Sequence, residues 1–328
     1  MKTNLHGSII VTYRCNARCN MCNVWQFPNN VKDEIDLDTV EKLPEMFFAN
    51  ITGGEPFIRR DLPEIISLVR RKARRIVISS NGFFTQRIIA LFEKYPDLGI
   101  RISVEGLPKT NDAIRGIPDG FDRTLRTLLA LRDMGIRDIG FGMTIQDLNA
   151  KDLIPLYRLA EALGYEFATA TLHNSHYFQK LDNHINDVDA VSAEIEKLIF
   201  LLLKSRKIKE WFRAYFNYGL MHFIHGNPRL LPCEMGRDGF FLDPSGNVLA
   251  CNGMDSAMAM GNLRRQSWED IWSSPQAEQV RRAVQNCRKN CWMIGSAAPA
   301  IRRRPLKPVL WVMKNKMRLA LGKKACVR

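Results

Sequence analysis

Nowhere in its 328 residues does the chain hold an apolar run near the roughly 18 residues of a membrane-spanning helix. The densest stretch, Ile199-Phe200-Leu201-Leu202-Leu203, reads as part of a helix face. A secretory signal is missing too, because Ile9-Ile10-Val11 is too short for its apolar core and runs straight into a cysteine loop. Eight cysteines in a chain without an export signal point to metal or redox use in a reducing compartment, so a cytoplasmic protein is expected. With 46% hydrophobic and 9% aromatic residues, disorder is excluded over most of the length and a sizeable core is available. Acidic residues are absent from 301–328, which hold ten Lys or Arg; ten of the +14 net charges therefore sit there and residues 1–300 carry only +4. That is too little to expect nucleic acid as a partner.

What is there is organised around residues 15–22, CNARCNMC. Cys15, Cys19 and Cys22 form a C-x3-C-x2-C cluster after the apolar run Ser8–Tyr13, which places three thiols where a strand ends. Three cysteines cannot close a four-ligand structural zinc site alone. A disulfide would leave one thiol over and suits secreted chains better. A [4Fe–4S] cluster is the third reading; three thiolates would leave one iron open for a small molecule.

Strand patterns at 8–14, 47–52, 75–80, 99–104, 138–145 and 166–172 alternate with helical candidates near 36–46, 62–73, 85–94, 121–134 and 152–163. Asp61, Asp122 and Asp152 stand at helix starts, Gly135 and Gly164 at helix stops. Six such units predict a parallel sheet curled by right-handed crossovers into a partial (β/α)6 TIM-like barrel, an α/β fold with chemistry at the strands' C-terminal ends. The polar motifs fall there: Gly53-Gly54-Glu55-Pro56, Ser79-Ser80-Asn81-Gly82, Ser103-Val104-Glu105-Gly106, then Thr144, Gln146, Thr171, His173 and His176. Glycines allow close backbone approach, and a buried carboxylate accepts from an ammonium. Arg115 offers a fork for a carboxylate or sits in a surface ion pair. His173 is the first candidate for substrate contact.

A second constellation begins at Cys233. Cys251 follows the hairpin pattern Phe240–Ala250, then come Gly261-Asn262-Leu263 and Ser267-Trp268-Glu269-Asp270-Ile271-Trp272, and Cys287-x3-Cys291 closes it after a helix near 276–286. Four cysteines brought together this way hold either zinc or an iron–sulfur cluster.

Taken together, residues 8–292 resemble the radical S-adenosylmethionine (SAM) enzymes that carry a C-terminal SPASM/twitch-like extension. The spacing at 15–22 is their signature, with Met21 where an aromatic residue is usual; GGEP at 53–56, the stretch Ser103–Gly106 with Asp112, Arg115, Gly116 and Phe121, and the C-x12-G-x4-C, GNL and SWEDIW elements complete the likeness. The resemblance implies a SAM-binding [4Fe–4S] cluster on Cys15, Cys19 and Cys22. It also implies SAM contacts from Gly53, Gly54, Glu55 and Pro56 to the amine and from Ser103 and Arg115 to the carboxylate, and an auxiliary [4Fe–4S] cluster on Cys233, Cys251, Cys287 and Cys291. Reductive cleavage of SAM to a 5′-deoxyadenosyl radical, which takes hydrogen from a substrate carbon, is the implied chemistry.

The expected segments are a barrel at 1–176, a helical linking region at 177–229, the cluster extension at 230–292 and a basic amphipathic tail at 293–328. Only four cysteines serve the extension, and the first strand starts near residue 8, leaving no room ahead of it for a leader-peptide-binding domain. A saccharide or cyclitol, small or lipid-linked, is therefore the expected substrate, oxidised or epimerised by an oxidoreductase or epimerase. A peptide-modifying maturase is the alternative, and a zinc-binding or iron–sulfur electron-carrier module the non-enzyme reading. A flavodoxin or ferredoxin is the expected reductant. In the linking region, the stripe Val191, Ile195, Leu198, Ile199, Leu202 and the aromatic group from Trp211 to Tyr218 read as core. In the tail, Leu310, Met313, Met317 and Leu321 make a helical stripe flanked by cations. It reads as peripheral contact of residues 305–324 with the inner face of a membrane, or as a helix docked on the barrel with a basic outer face; RNA contact is a third reading. Cys326 near the end reads as an inert thiol, or as a hydrogen-atom donor in an epimerisation.

Overall fold

The first strand, β1 (His6–Ile10), becomes the interior strand of a nine-stranded sheet. The computed structural model describes residues 4–327, so residues 1–3 and 328, the outer ends of the first and last expected segments, lie outside it. Five βα repeats follow: α1 (Leu37–Glu41), β2 (Phe48–Thr52), α2 (Leu62–Arg70), β3 (Ile76–Ser80), α3 (Thr85–Lys94), β4 (Gly99–Ser103), α4 (Pro108–Arg115), α5 (Gly120–Asp133), β5 (Ile139–Ile145), α6 (Leu153–Leu163) and β6 (Glu166–Thr171). Then come α7 (Val188–Lys204), α8 (Ile208–Ile224), β7 (Gly239–Leu242), β8 (Asn247–Leu249), β9 (Gly261–Asn262), α9 (Trp268–Ser273), α10 (Pro275–Gln285), α11 (Ile294–Arg303) and α12 (Leu306–Ala320).

Strands β1 to β6 pair in parallel in chain order, with Ile9 opposite Ile51 and Ile51 opposite Ile78. Their Ile and Val side chains are buried, as a parallel sheet covered by helices requires. This is the partial TIM-like barrel of the sequence reading. The extension is not appended to it by a linker alone: β7 pairs in parallel with β1, His6 opposite Gly239, so the barrel sheet continues into the C-terminal region. β7 and β8 form the anticipated hairpin, its turn held by Asp243, whose Oδ1 accepts from the amides of Ser245 and Asn247 at 2.9 and 2.8 Å. Below it Trp268 stacks on Trp272 at 4.7 Å and meets Phe240, which seats α9 against the sheet.

Helices α7 and α8 form an antiparallel pair, and the stripe from Val191 to Leu202 is buried as anticipated. The aromatic group of α8 packs too: Tyr215 and Phe216 are buried in a second core with Trp292, and Trp211 and Tyr218 pack against it.

Three local readings are corrected. β1 ends at Ile10 rather than at residue 14, because the chain from Val11 turns to grip residues 52–55 irregularly: Val11 N donates to Thr52 O, while Gly54 N and Glu55 N donate to Thr12 O and Arg14 O. Residues 108–115 form a helix of their own. Residues 294–303 also form one, ahead of the tail helix.

Candidate functional site

The loop after β1 is held from below and from one side. Beneath it, buried Glu34 accepts from Thr12 Oγ1 and from Arg14 Nε at 2.8 Å. Arg59, itself buried, donates to Val11 O and Ile35 O, both at 2.9 Å. On the side, Arg18 N and Asn20 N donate to Arg115 O and Ile114 O at 3.0 and 2.9 Å, so the cysteine loop caps the end of α4. Gly116 ends that helix in the left-handed region, φ 62°, and a Cβ there would lie 2.7 Å from Arg18 O; only glycine serves both needs. At Gly54 a Cβ would overlap Arg14 O, and at Gly53 it would stand 2.6 Å from Thr12 O. The two glycines let the segment after β2 lie flush against the loop after β1.

Cys15, Cys19 and Cys22 are half-buried on this loop. Burial pushes the Cys15 thiol up to about 12 and the Cys22 thiol to about 11, and raises Cys19, with Arg115 opposing in each case. Arg115 is the one buried cation that favours the charged form of all three thiols. Arg115 pairs with buried Glu105 at 3.2 Å. Glu105 also accepts from Thr144 N at 2.7 Å, while Asn111 Oδ1 and Asn149 Nδ2 hold its backbone. Half-buried Ser103 ends β4 two residues before Glu105, the partner of Arg115.

Glu55 is fully buried and points inward. It accepts from Phe57 N at 3.1 Å, Ser80 Oγ at 2.9 Å and Asn81 N at 2.7 Å, which leaves about one of a carboxylate's four lone-pair sites for an ammonium. Asn81 reaches on to Asn16 of the cysteine loop at 2.7 Å. Gln146, after β5, keeps a buried side-chain nitrogen with no hydrogen-bond partner among the described residues. An orphaned amide in this ring of strand ends is what a missing ligand leaves behind.

The segment from His173 to Asn183 spans the strand ends as a strap. Phe178 O accepts from Asn23 N at 2.9 Å and lies 3.8 Å from Cys22 Sγ; Asn183 Nδ2 donates to Met21 O at 3.1 Å. Tyr177 hydroxyl donates to Gly53 O at 2.6 Å and meets Thr52 Oγ1 at 3.2 Å. Burial raises its proton affinity, so it stays a donor. His173 packs on Phe178 at 5.0 Å, and its Nδ1 lies 2.9 Å from Thr171 O. A carbonyl only accepts, so Nδ1 carries the proton and Nε2 is the acceptor; burial lowers its proton affinity and keeps the ring neutral.

The second set gathers around Cys251, which follows β8. Burial pushes its thiol up to about 12, and Cys291, Cys233 and Cys287 all lie close enough to add to that. Gly253 N donates to Cys251 Sγ at 3.1 Å, Lys289 ties the Cys287–Cys291 turn to Gly253 O at 3.0 Å, and Arg229 donates to Cys291 O while lying over Trp292. Among the described residues no three Cys, His, Asp or Glu converge as a single metal ion would require. A zinc ion draws its sulfurs to about 2.3 Å around one point, whereas a cube of iron and sulfide spreads them over its corners. Both sets are made of thiols, the donor type that zinc and iron–sulfur clusters share.

Cys326 stands apart from the sites just described. Its amide donates to Asn315 Oδ1 at 2.6 Å and its thiol lies beside Tyr218, between α12 and α8, next to buried Val327. Tyr177, Asn252, Asn16 and Glu34 were not singled out from the sequence; the run Ser175–Phe178 after the sixth strand was the one available signal.

The comparisons with known proteins agree with this geometry. The radical SAM superfamily model matches residues 9–160, and the SPASM iron–sulfur cluster-binding domain model matches 233–292. The chain is similar to Fe-coproporphyrin III synthase of Methanosarcina barkeri, 26% identical over 301 residues, 80% of this chain and 72% of that one. It is also similar to the antilisterial bacteriocin subtilosin biosynthesis protein AlbA of Bacillus subtilis, 22% identical over 305 residues, 85% of this chain and 62% of that one. Among solved structures, native anSMEcpe with bound AdoMet and Cp18Cys peptide superposes with a TM-score of 0.64 at 11% identity, covering 97% of this chain and 99% of that one, a likeness of fold.

Proposed function

This chain belongs to the radical SAM superfamily and carries a C-terminal SPASM iron–sulfur domain; from that premise we propose that it modifies a carbon of a peptide substrate. Its cofactors are a SAM-binding [4Fe–4S] cluster, SAM and an auxiliary cluster. In the proposed assignment Cys15, Cys19 and Cys22 hold the first cluster, and Cys233, Cys251, Cys287 and Cys291 hold the second. Gly53–Pro56, Ser103 and Arg115 hold SAM. When bound, the reduced cluster and SAM supply a carbon radical able to take hydrogen from an unactivated C–H bond.

The chain's own residues orient and compensate. Arg115 places a cation beside the thiols, Glu105 fixes that cation, and the glycines of 53–54 let the amides of Gly54 and Glu55 donate to the loop carbonyls of Thr12 and Arg14. Neutral His173 offers Nε2 to a substrate at the strap. The observation that carries the radical SAM assignment is the clamp of the three-thiol loop onto the end of α4, which brings buried Arg115 beside the half-buried cysteines.

A peptide is preferred over the saccharide or cyclitol of the sequence reading because the similar proteins include a bacteriocin biosynthesis protein, and the solved neighbour holds a peptide. Oxidation or epimerisation is left to product analysis.

The test is anaerobic reconstitution with iron, sulfide and zinc counted, then dithionite and SAM with 5′-deoxyadenosine followed by chromatography. About eight irons per chain are expected. Cys287→Ala with Cys291→Ala should lose about half of them and keep SAM cleavage, while Cys19→Ala abolishes cleavage. Zinc in the second set would overturn that assignment. Stimulation of cleavage by short peptides encoded beside the gene supports the substrate class; stimulation by nucleotide sugars or aminocyclitols instead would overturn it.

A further inference from the structure

The tail helix carries a surface that the site does not use. α12 docks on α7 and α8 through one side: Pro308, Val312 and Asn315 are buried, Trp311 stacks on Tyr218 at 5.0 Å, and Lys316 donates to Leu203 O at 3.1 Å. Leu306, Leu310, Met313, Met317 and Leu321 follow one another at helical spacing on the opposite side. They are 57% to 76% exposed. The sequence left open whether this stripe faces the barrel or the surroundings, and the docked face turns out to be the other one.

Within the tail the charge has one sign. Arg303 and Arg304 are tied to Asp238 and Glu234, and Lys307 to Leu230 O. Lys314, Lys323 and Lys324 are exposed. Residues 301–328 contain no acid. A second copy pressed stripe to stripe would bring two such cationic tails together against their mutual repulsion. Nucleic acid would use the cations and gain nothing from five bare apolar side chains. A bilayer rich in anionic lipid satisfies both, with the apolar row at the acyl boundary and the cations at the headgroups.

We propose that α12 seats the enzyme on the surface of an anionic membrane. No helix among the described residues is long and apolar enough to cross one, so the contact is peripheral. The test is co-sedimentation of the full, reconstituted chain with vesicles of phosphatidylcholine alone or mixed with phosphatidylglycerol. Binding to the mixed vesicles is expected, weakened by salt, and absent from phosphatidylcholine alone. The triple variant Leu310→Gln, Met313→Gln, Met317→Gln should bind at least about tenfold less with an unchanged circular-dichroism melt, because those side chains touch solvent. Lys314→Glu, Lys323→Glu and Lys324→Glu together should abolish binding. Failure to sediment with mixed vesicles at low salt would overturn the proposal, as would a triple Gln variant that binds like the parent. A parent dimer by light scattering that the Gln variant converts to monomer would assign the face to a second copy instead.

Discussion

Arg115→Met tests the electrostatic centre of the site. Arg115 and Glu105 are 8% and 2% exposed and 3.2 Å apart. Removing one partner of such a pair strands the other charge, a loss of about 3–5 kcal/mol in general. Glu105 retains its bond from Thr144 N, which softens the loss toward the lower end. Burial already drives the Glu105 carboxyl upward, with Arg115 the chief opposing influence. In the variant that opposition is gone, so folded Glu105 takes up a proton at a pH where the unfolded chain does not. The folded state then binds more protons, stability falls as pH rises through that window, and the variant's deficit is smaller at acid than at alkaline pH. Glu105→Gln alone strands Arg115 less severely, since Cys19, Cys15 and Glu55 also favour its charge. The double variant Arg115→Met, Glu105→Gln removes both charges and should cost less than the sum of the singles by about 2 kcal/mol. Urea midpoints of the anaerobically reconstituted chain at two pH values measure all of this. Additive single effects, or a deficit of Arg115→Met that does not change with pH, would refute the buried pair.

Two further outcomes follow from the same coordinates. Tyr177→Phe removes the donor to Gly53 O and should lower stability by about 1 kcal/mol. If the backbone of 53–54 receives the SAM amine, the variant also frees that acceptor, and calorimetry should show SAM binding tightened roughly fivefold; an unchanged affinity would mean the two do not share Gly53. His6 has a buried, unpartnered Nε2, and burial, then Arg302, lower its pKa to about 4 against the opposing Asp238. Its unfolded value is the ordinary 6.5, so the unfolded state binds the extra proton between those limits. The contribution of His6 is therefore full above pH 6.5 and lost as pH falls toward 4, by about 2 kcal/mol after allowing for its partial exposure. His6→Leu should flatten that limb of the stability curve in acid titration of the urea midpoint.

Much of this was legible in the sequence, and the exceptions share a cause. The alternation of apolar strands with capped helices specified the barrel because a doubly covered parallel strand must be apolar throughout. The cysteine spacings and the glycines at 53–54 were legible because thiol ligation and close backbone approach each demand one residue type. Helix α4 was not, since Lys109, Thr110, Asn111 and Asp112 have no apolar period; its place is decided by Ile114 and Arg115 receiving the cysteine loop and by Gly116 ending against Arg18. The end of β1 was misplaced because Thr12 to Arg14 pair with 54–55 outside any regular ladder. In α12 the period was plain, but the stacking of Trp311 on Tyr218 decides which face docks, and that contact lies 93 residues away in the chain.

The strap ties together two cysteine sets that lie far apart in sequence. Asn252, beside Cys251, accepts from Ser175 Oγ at 2.8 Å and from Tyr177 N at 3.4 Å. The same Tyr177 donates to Gly53, and its neighbour Phe178 receives Asn23 beside Cys22. One short segment therefore bonds the loop after β1, the glycines after β2 and the turn after β8. The β1–β7 pairing provides a second tie beneath, between the strand that leads into the first cysteine set and the hairpin that leads into the second. With backbone pairing below and the strap above, the two sets are placed by the same sheet and cannot drift as linked domains do. The spacing between the two sets is therefore set by the fold itself.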